Sequence, residues 1–150
     1  MKGKIWDISS LEELNLAVKE VLEGIRQGTS PGHAAVLALS GDLGAGKTTF
    51  TQYLAKELGV SEAITSPTFV ILKKYPLPND HQFKHLVHID AYRLETPEEL
   101  LVLNLKTEFL DEGNLVVVEW AEKVATILPA HTTTLQFTLD GARRTLSSQR

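Results

Sequence analysis

"ALSGDLGAGKTTF", residues 38–50, decides how the chain is read. Gly41, Gly46, Lys47 and Thr48 satisfy GxxxxGK[ST], and the pattern has the flanks it needs. Residues 34–39 form a short apolar run suited to a strand buried on both faces of a parallel sheet. From Lys47 the apolar residues Phe50, Tyr53, Leu54 and Leu58 recur at helical spacing, and Gly59 is placed to end that helix. Glycines between a strand and a helix let backbone N–H groups turn inward toward anionic oxygens, and the helix adds the positive end of its dipole. In such a loop Lys47 bridges β- and γ-phosphates and the Thr48 hydroxyl takes one position on Mg²⁺.

Outward from the loop, 150 residues with 43% apolar content suit a single domain spanning 1–150. No internal repeat interrupts it. Ser10 and Glu13 have capping-box spacing, and Leu11, Leu14, Val18, Val21, Leu22 and Ile25 place a first helix up to about Gln27, stopped by "GTSPG" at 28–32. Residues 68–75 and 84–90 read as strands around the turn-forming "PLPNDH", 76–81. "TPEELLVLNL", 96–105, opens a helix, residues 115–119 form a second fully apolar strand, and a short helix starts near Ala121 and ends before Pro129. Alternation at 134–139 and Asp140-Gly141 mark a terminal hairpin. The expected fold is an α/β three-layer sandwich like that of the P-loop NTPases, its mixed sheet antiparallel at one edge.

Absence of cysteine removes disulfides and thiolate metal sites and favours a reducing, cytoplasmic setting. Neither a signal peptide nor a membrane-crossing segment is expected. Fifteen basic against nineteen acidic residues, a formal charge of −4, is the wrong sign for direct grip on nucleic acid phosphates. The acids between Glu95 and Glu112 read as a solvated face or as a docking surface for a basic partner.

Magnesium on Thr48 needs an acid at the end of a neighbouring buried strand. "HLVHID" ends in Asp90 and "NLVVVE" in Glu119; Glu119 is the better ligand because its run is uninterrupted, and the role left to Asp90 is to orient an attacking water. Thr65, Ser66 and Thr68 form either a nucleotide-sensing switch or an ordinary turn. Trp120 either touches the nucleotide or packs in the core. His85 and His88 fall on opposite strand faces, which argues against a shared metal and leaves them structural or surface histidines. Neither NKxD nor DxxG occurs, which favours ATP over GTP. A small-metabolite kinase remains as an alternative, although no arginine-rich lid follows the loop, and so does a nucleotide-gated binding module.

"GDLGAGKTTF" (41–50), "TSPTF" (65–69), "HIDAYRL" (88–94) and "VVVEWAEK" (116–123) occur in the order and spacing of the bacterial TsaE (YjeE) family. The chain resembles that family over nearly its whole length. The resemblance implies an ATPase needed for threonylcarbamoyladenosine at position 37 of tRNA, working with TsaB and TsaD, resetting their complex by hydrolysis and touching tRNA only indirectly. It implies ATP on Asp42, Leu43, Gly44, Ala45, Gly46, Lys47, Thr48 and Thr49, and Mg²⁺ on Thr48 and Glu119. Thr68 and Asp90 would serve hydrolysis beside Lys47 and Glu119, with Trp120 near the nucleotide. Asn15 and Ala121 depart from residues common in the family, and Arg143 or Arg144 would be the arginine to approach the nucleotide from the hairpin.

Overall fold

The computed structural model describes residues 1–64, 72–96, 98–101 and 105–149. Along them run β1 (Ile5–Asp7), α1 (Leu11–Gln27), β2 (Ala35–Gly41), α2 (Lys47–Glu57), β3 (Leu72–Pro76), β4 (His85–Asp90), α3 (Glu98–Leu101), α4 (Leu105–Phe109) and β5 (Asn114–Glu119). A 3₁₀ segment, Ala121–Ile127, then leads to β6 (Thr133–Asp140) and β7 (Arg143–Ser148). The strands form one mixed sheet in the order β1-β7-β6-β2-β5-β4-β3.

Its centre is parallel: β2 pairs with β5 on one side and β6 on the other, and β4 extends β5. β2 and β5 are apolar almost throughout because both faces are covered. One face packs Leu37, Leu39, Leu115 and Val117 against the buried stripe of α1 and against Phe50 and Leu54 of α2. The other packs Val36, Ala38, Val116 and Val118 under α4 and the 3₁₀ segment. The result is the expected three-layer α/β sandwich with its C-terminal hairpin.

Antiparallel pairing occurs at both edges, β3 on β4 and β1 on β7, where the sequence led us to expect one. β1 was not anticipated: three residues with only Trp6 buried are too few to show a period. β3 begins at Leu72; residues 68–71, read as part of that strand, lie outside the described set. The expected 96–105 helix is present as α3 and α4. Its N-terminal box forms in part, since Glu99 Oε1 accepts from the Glu95 and Thr96 amides.

α1 starts and stops where its punctuation says. Ser10 Oγ accepts from the Glu13 amide at 3.1 Å and donates to Glu13 Oε1 at 2.9 Å, and the Gly28 amide closes the last turn on Ile25 O. Leu11 departs from the apolar stripe, being 60% exposed. No helix among the described residues is long and apolar enough to cross a membrane.

Candidate functional site

In an open α/β sheet, ligands collect beyond the carboxyl ends of parallel strands. Here β2 ends in the glycine loop, β5 in Glu119 and β4 in Asp90, with Asp90 and Glu119 in register and Glu119 opposite Leu39. Gly44 (φ 78°) and Gly46 (φ 114°) take left-handed backbone that lets the loop reverse onto α2. Gly46 is the N-cap of α2 and brings no side-chain acceptor, so the first-turn amides of that helix keep their hydrogen-bonding capacity for an outside anion.

Lys47 is 6% exposed. Its ammonium donates to Gly41 O at 2.5 Å and Asp42 O at 2.9 Å and sits 3.9 Å from the centre of the Trp120 ring. Burial pulls its pKa below the usual lysine value, while the charges of Glu122, Glu119, Asp42 and Asp90 pull it up. Thr48 Oγ donates to Glu119 Oε1 at 2.8 Å. The other oxygen of Glu119, Oε2, meets His88 Nε2, and both side chains are buried. His88, expected to be a structural or surface histidine, belongs to this cluster. Two-residue periodicity puts His88 and Asp90 on one face of β4, but nothing local reveals that β4 lies beside β5.

Trp120 has φ 58°, the left-handed region that a bulky residue rarely enters, and its ring rests on Tyr92 with centroids 5.1 Å apart. Such outliers cost on the order of 1–3 kcal/mol and gather at functional sites. Arg144 reaches from β7 to the loop, Nε donating to Gly44 O at 3.3 Å, whereas Arg143 turns to Asp7 on the sheet edge. A cavity of about 430 Å³ is lined by Gly44, Gly46, Lys47, Thr48 and Thr49 from the loop and α2, by Glu119 and Trp120, by Arg144, and by Ser9, Ser10 and Leu11 at the start of α1. Leu43, also on its rim, is exposed, while Ala45 is fully buried beneath the loop with its amide on Asp42 O. Asp90 stands outside that lining and accepts from the Tyr92 amide at 2.9 Å. Thr65, Ser66 and Thr68 lie outside the described residues.

A cavity of about 530 Å³ at the opposite end of the parallel strands, between α4 and the 3₁₀ segment, is lined mainly by apolar side chains, with His33, Lys106 and His131 among them.

The first cavity combines uncapped helix amides, a buried ammonium and a hydroxyl–carboxylate pair, which is a donor set for an anion with a hard cation. Its volume falls within the range usual for small-molecule sites. Among the described residues no three His, Asp or Glu side chains converge as a cage. The described residues that could hold such a cation are Thr48 and Glu119.

Comparison with known proteins gives a consistent result. The family model described as "Threonylcarbamoyl adenosine biosynthesis protein TsaE" matches residues 9–146. A Bacillus subtilis protein named tRNA threonylcarbamoyladenosine biosynthesis protein TsaE is 45% identical over 94 residues, covering 63% of this chain and 55% of that one. A Nostoc protein of the same name is 40% identical over 127 residues, covering 78% and 72%. The crystal structure of Bacillus subtilis YdiB superposes with a TM-score of 0.69 at 30% identity, covering 98% of this chain and 84% of that one. The match thus spans a little over half of the first relative and most of the other two.

Proposed function

Since the chain belongs to the TsaE family, we propose that it is a Mg²⁺-dependent ATPase required for threonylcarbamoyladenosine formation on tRNA. Its partners in this reading are proteins of the TsaB and TsaD type, and tRNA is met through them. One observation carries the proposal: Thr48 and Glu119, 71 residues apart in sequence, form a 2.8 Å hydroxyl–carboxylate pair directly beside the buried Lys47.

In this reading the amides around Asp42, Leu43, Gly44, Ala45, Gly46 and Thr49 cradle phosphate oxygens. Lys47 exchanges its hold on the Gly41 and Asp42 carbonyls for the β- and γ-phosphates. Magnesium, when bound, would neutralise charge growing on those oxygens. Thr48 and Glu119 hold that ion, Trp120 shields the phosphates from bulk water, and Asp90 with Thr68 orients the attacking water. Hydrolysis then resets the partner complex without donating the phosphoryl group.

The test is ATP turnover and modified-nucleoside formation in a reconstituted mixture with TsaB, TsaD and tRNA. Lys47→Ala and Glu119→Ala are each expected to lower hydrolysis by roughly 100-fold or more and to stop repeated modification. Wild-type turnover in either variant would remove the site assignment. If phosphate passes to an added sugar, nucleoside or hydroxy acid, the protein is a kinase; if a non-hydrolysable analogue sustains repeated modification, it is a nucleotide-gated binding module.

A further inference from the structure

His88 stands out among the residues of β4 and β5 that face α1 and α2. Its neighbours on that face, Leu86, Leu115 and Val117, are apolar and fully buried, as the core between a sheet and two helices requires. An imidazole with no exposed surface in this setting needs a polar reason, because an unsatisfied buried polar group is costly. Nε2 meets Glu119 Oε2, while Nδ1 has no hydrogen-bond partner among the described residues.

The strand register explains the reach. His88 lies opposite Val117, so Glu119 is its diagonal neighbour two residues further along the same face. A carboxylate only accepts, so the Nε2 hydrogen belongs to His88 in this contact. With Oε2 engaged, Oε1 is the oxygen turned toward Thr48. Glutamate has three rotatable side-chain bonds, and without a second anchor it would sample several orientations.

We propose that His88 is a positioning residue: by holding Glu119 Oε2 it fixes the carboxylate so that Oε1 is presented, together with the Thr48 hydroxyl, to a divalent cation. This rests on the reading of Glu119 as a cation ligand given above. Metal-bound carboxylates are commonly oriented by such outer partners, and losing one weakens the metal by about 10- to 100-fold.

The experiment compares full-length wild type, His88→Leu and His88→Gln. Leucine fills the space without a donor, whereas glutamine returns an N–H at similar reach. Binding of a non-hydrolysable ATP analogue is followed by calorimetry in EDTA and across a Mg²⁺ titration, with Mn²⁺ paramagnetic resonance as a direct view of the cation. For His88→Leu we expect analogue binding in EDTA within about 2-fold of wild type, but a half-saturating Mg²⁺ concentration raised by about 10-fold or more. His88→Gln should return to within about 3-fold of wild type. An unchanged Mg²⁺ midpoint in a folded His88→Leu protein overturns the inference, as does an equal shift in both variants. Should the leucine variant not fold, the wild-type imidazole supplies the answer. A slowly exchanging Nε2-bound proton is expected from nitrogen-15 spectra and should be lost in Glu119→Leu, which offers no acceptor; its persistence there overturns the proposal. Wild-type binding indifferent to Mg²⁺ defeats the cation assignment and this inference with it, whereas a Mg²⁺-dependent wild type beside an insensitive leucine variant defeats the inference alone.

Discussion

Gly41 shows how one atom can constrain a site. It ends β2 at φ 136°, and a Cβ built there would lie 2.1 Å from the Phe137 carbonyl oxygen of the neighbouring strand. Backbone cannot yield that far without parting β2 from β6. Gly44, at φ 78°, has nothing within 4 Å of the same construction, so only its dihedral is at stake. We expect Gly44→Ala to cost about 1–2 kcal/mol, and Gly41→Ala to cost about 4 kcal/mol or more, or to prevent folding. Urea unfolding of the two variants checks both figures. A Gly41→Ala protein as stable as Gly44→Ala would show that the strand pair is looser than its register implies.

At the level of elements, α1 is held at its start by a reciprocal pair, Ser10 with Glu13. Ser10→Ala is expected to lower stability by about 1 kcal/mol, read as a shift in the urea midpoint at constant slope. That helix was legible in the sequence because side chains and glycine mark both its ends. β2 and β5 were legible for a different reason, since strands covered on both faces have to be apolar without interruption. What escaped reading depended on neighbours remote in the chain. Leu11 fits the helical stripe, yet it faces the cavity mouth and not the core. β1 exists because β7 offers it an edge. The tie between His88 and Glu119 follows from strand order, which no local period encodes. The acids between 95 and 112 read as a face, but several are engaged locally: Glu99 in a capping box, Glu108 with Lys74 and Asn114, and Glu112 on the Gly32 amide.

Across the whole molecule, the far end of α1 is tied to the turn between β3 and β4. Arg26 gives two hydrogen bonds to Asp80, at 3.1 and 2.5 Å, and lies over the Phe83 ring. Burial works to raise the Asp80 pKa, but Arg26 and the Phe83 and Gln82 amides outweigh it and lower the value to about 2 from 3.8. A depressed carboxyl stabilises the fold above its unfolded pKa, and that contribution fades as pH falls from about 4 to about 2. After screening by solvent it is on the order of 1–2 kcal/mol, so Asp80→Asn should be less stable by that amount at pH 7 and should lack this part of the acid limb. Denaturant titrations of both proteins at pH 7, 4 and 2.5 decide it; parallel pH curves would contradict the pairing. The cavity has a comparable reach, because its wall is assembled from the start of α1, the loop before α2, the end of β5 and the start of β7. A small molecule seated there acts as a clasp on four remote stretches at once, so saturation should slow amide hydrogen exchange near Ser9, Gly44, Glu119 and Arg144 together, each by the same mass-action factor.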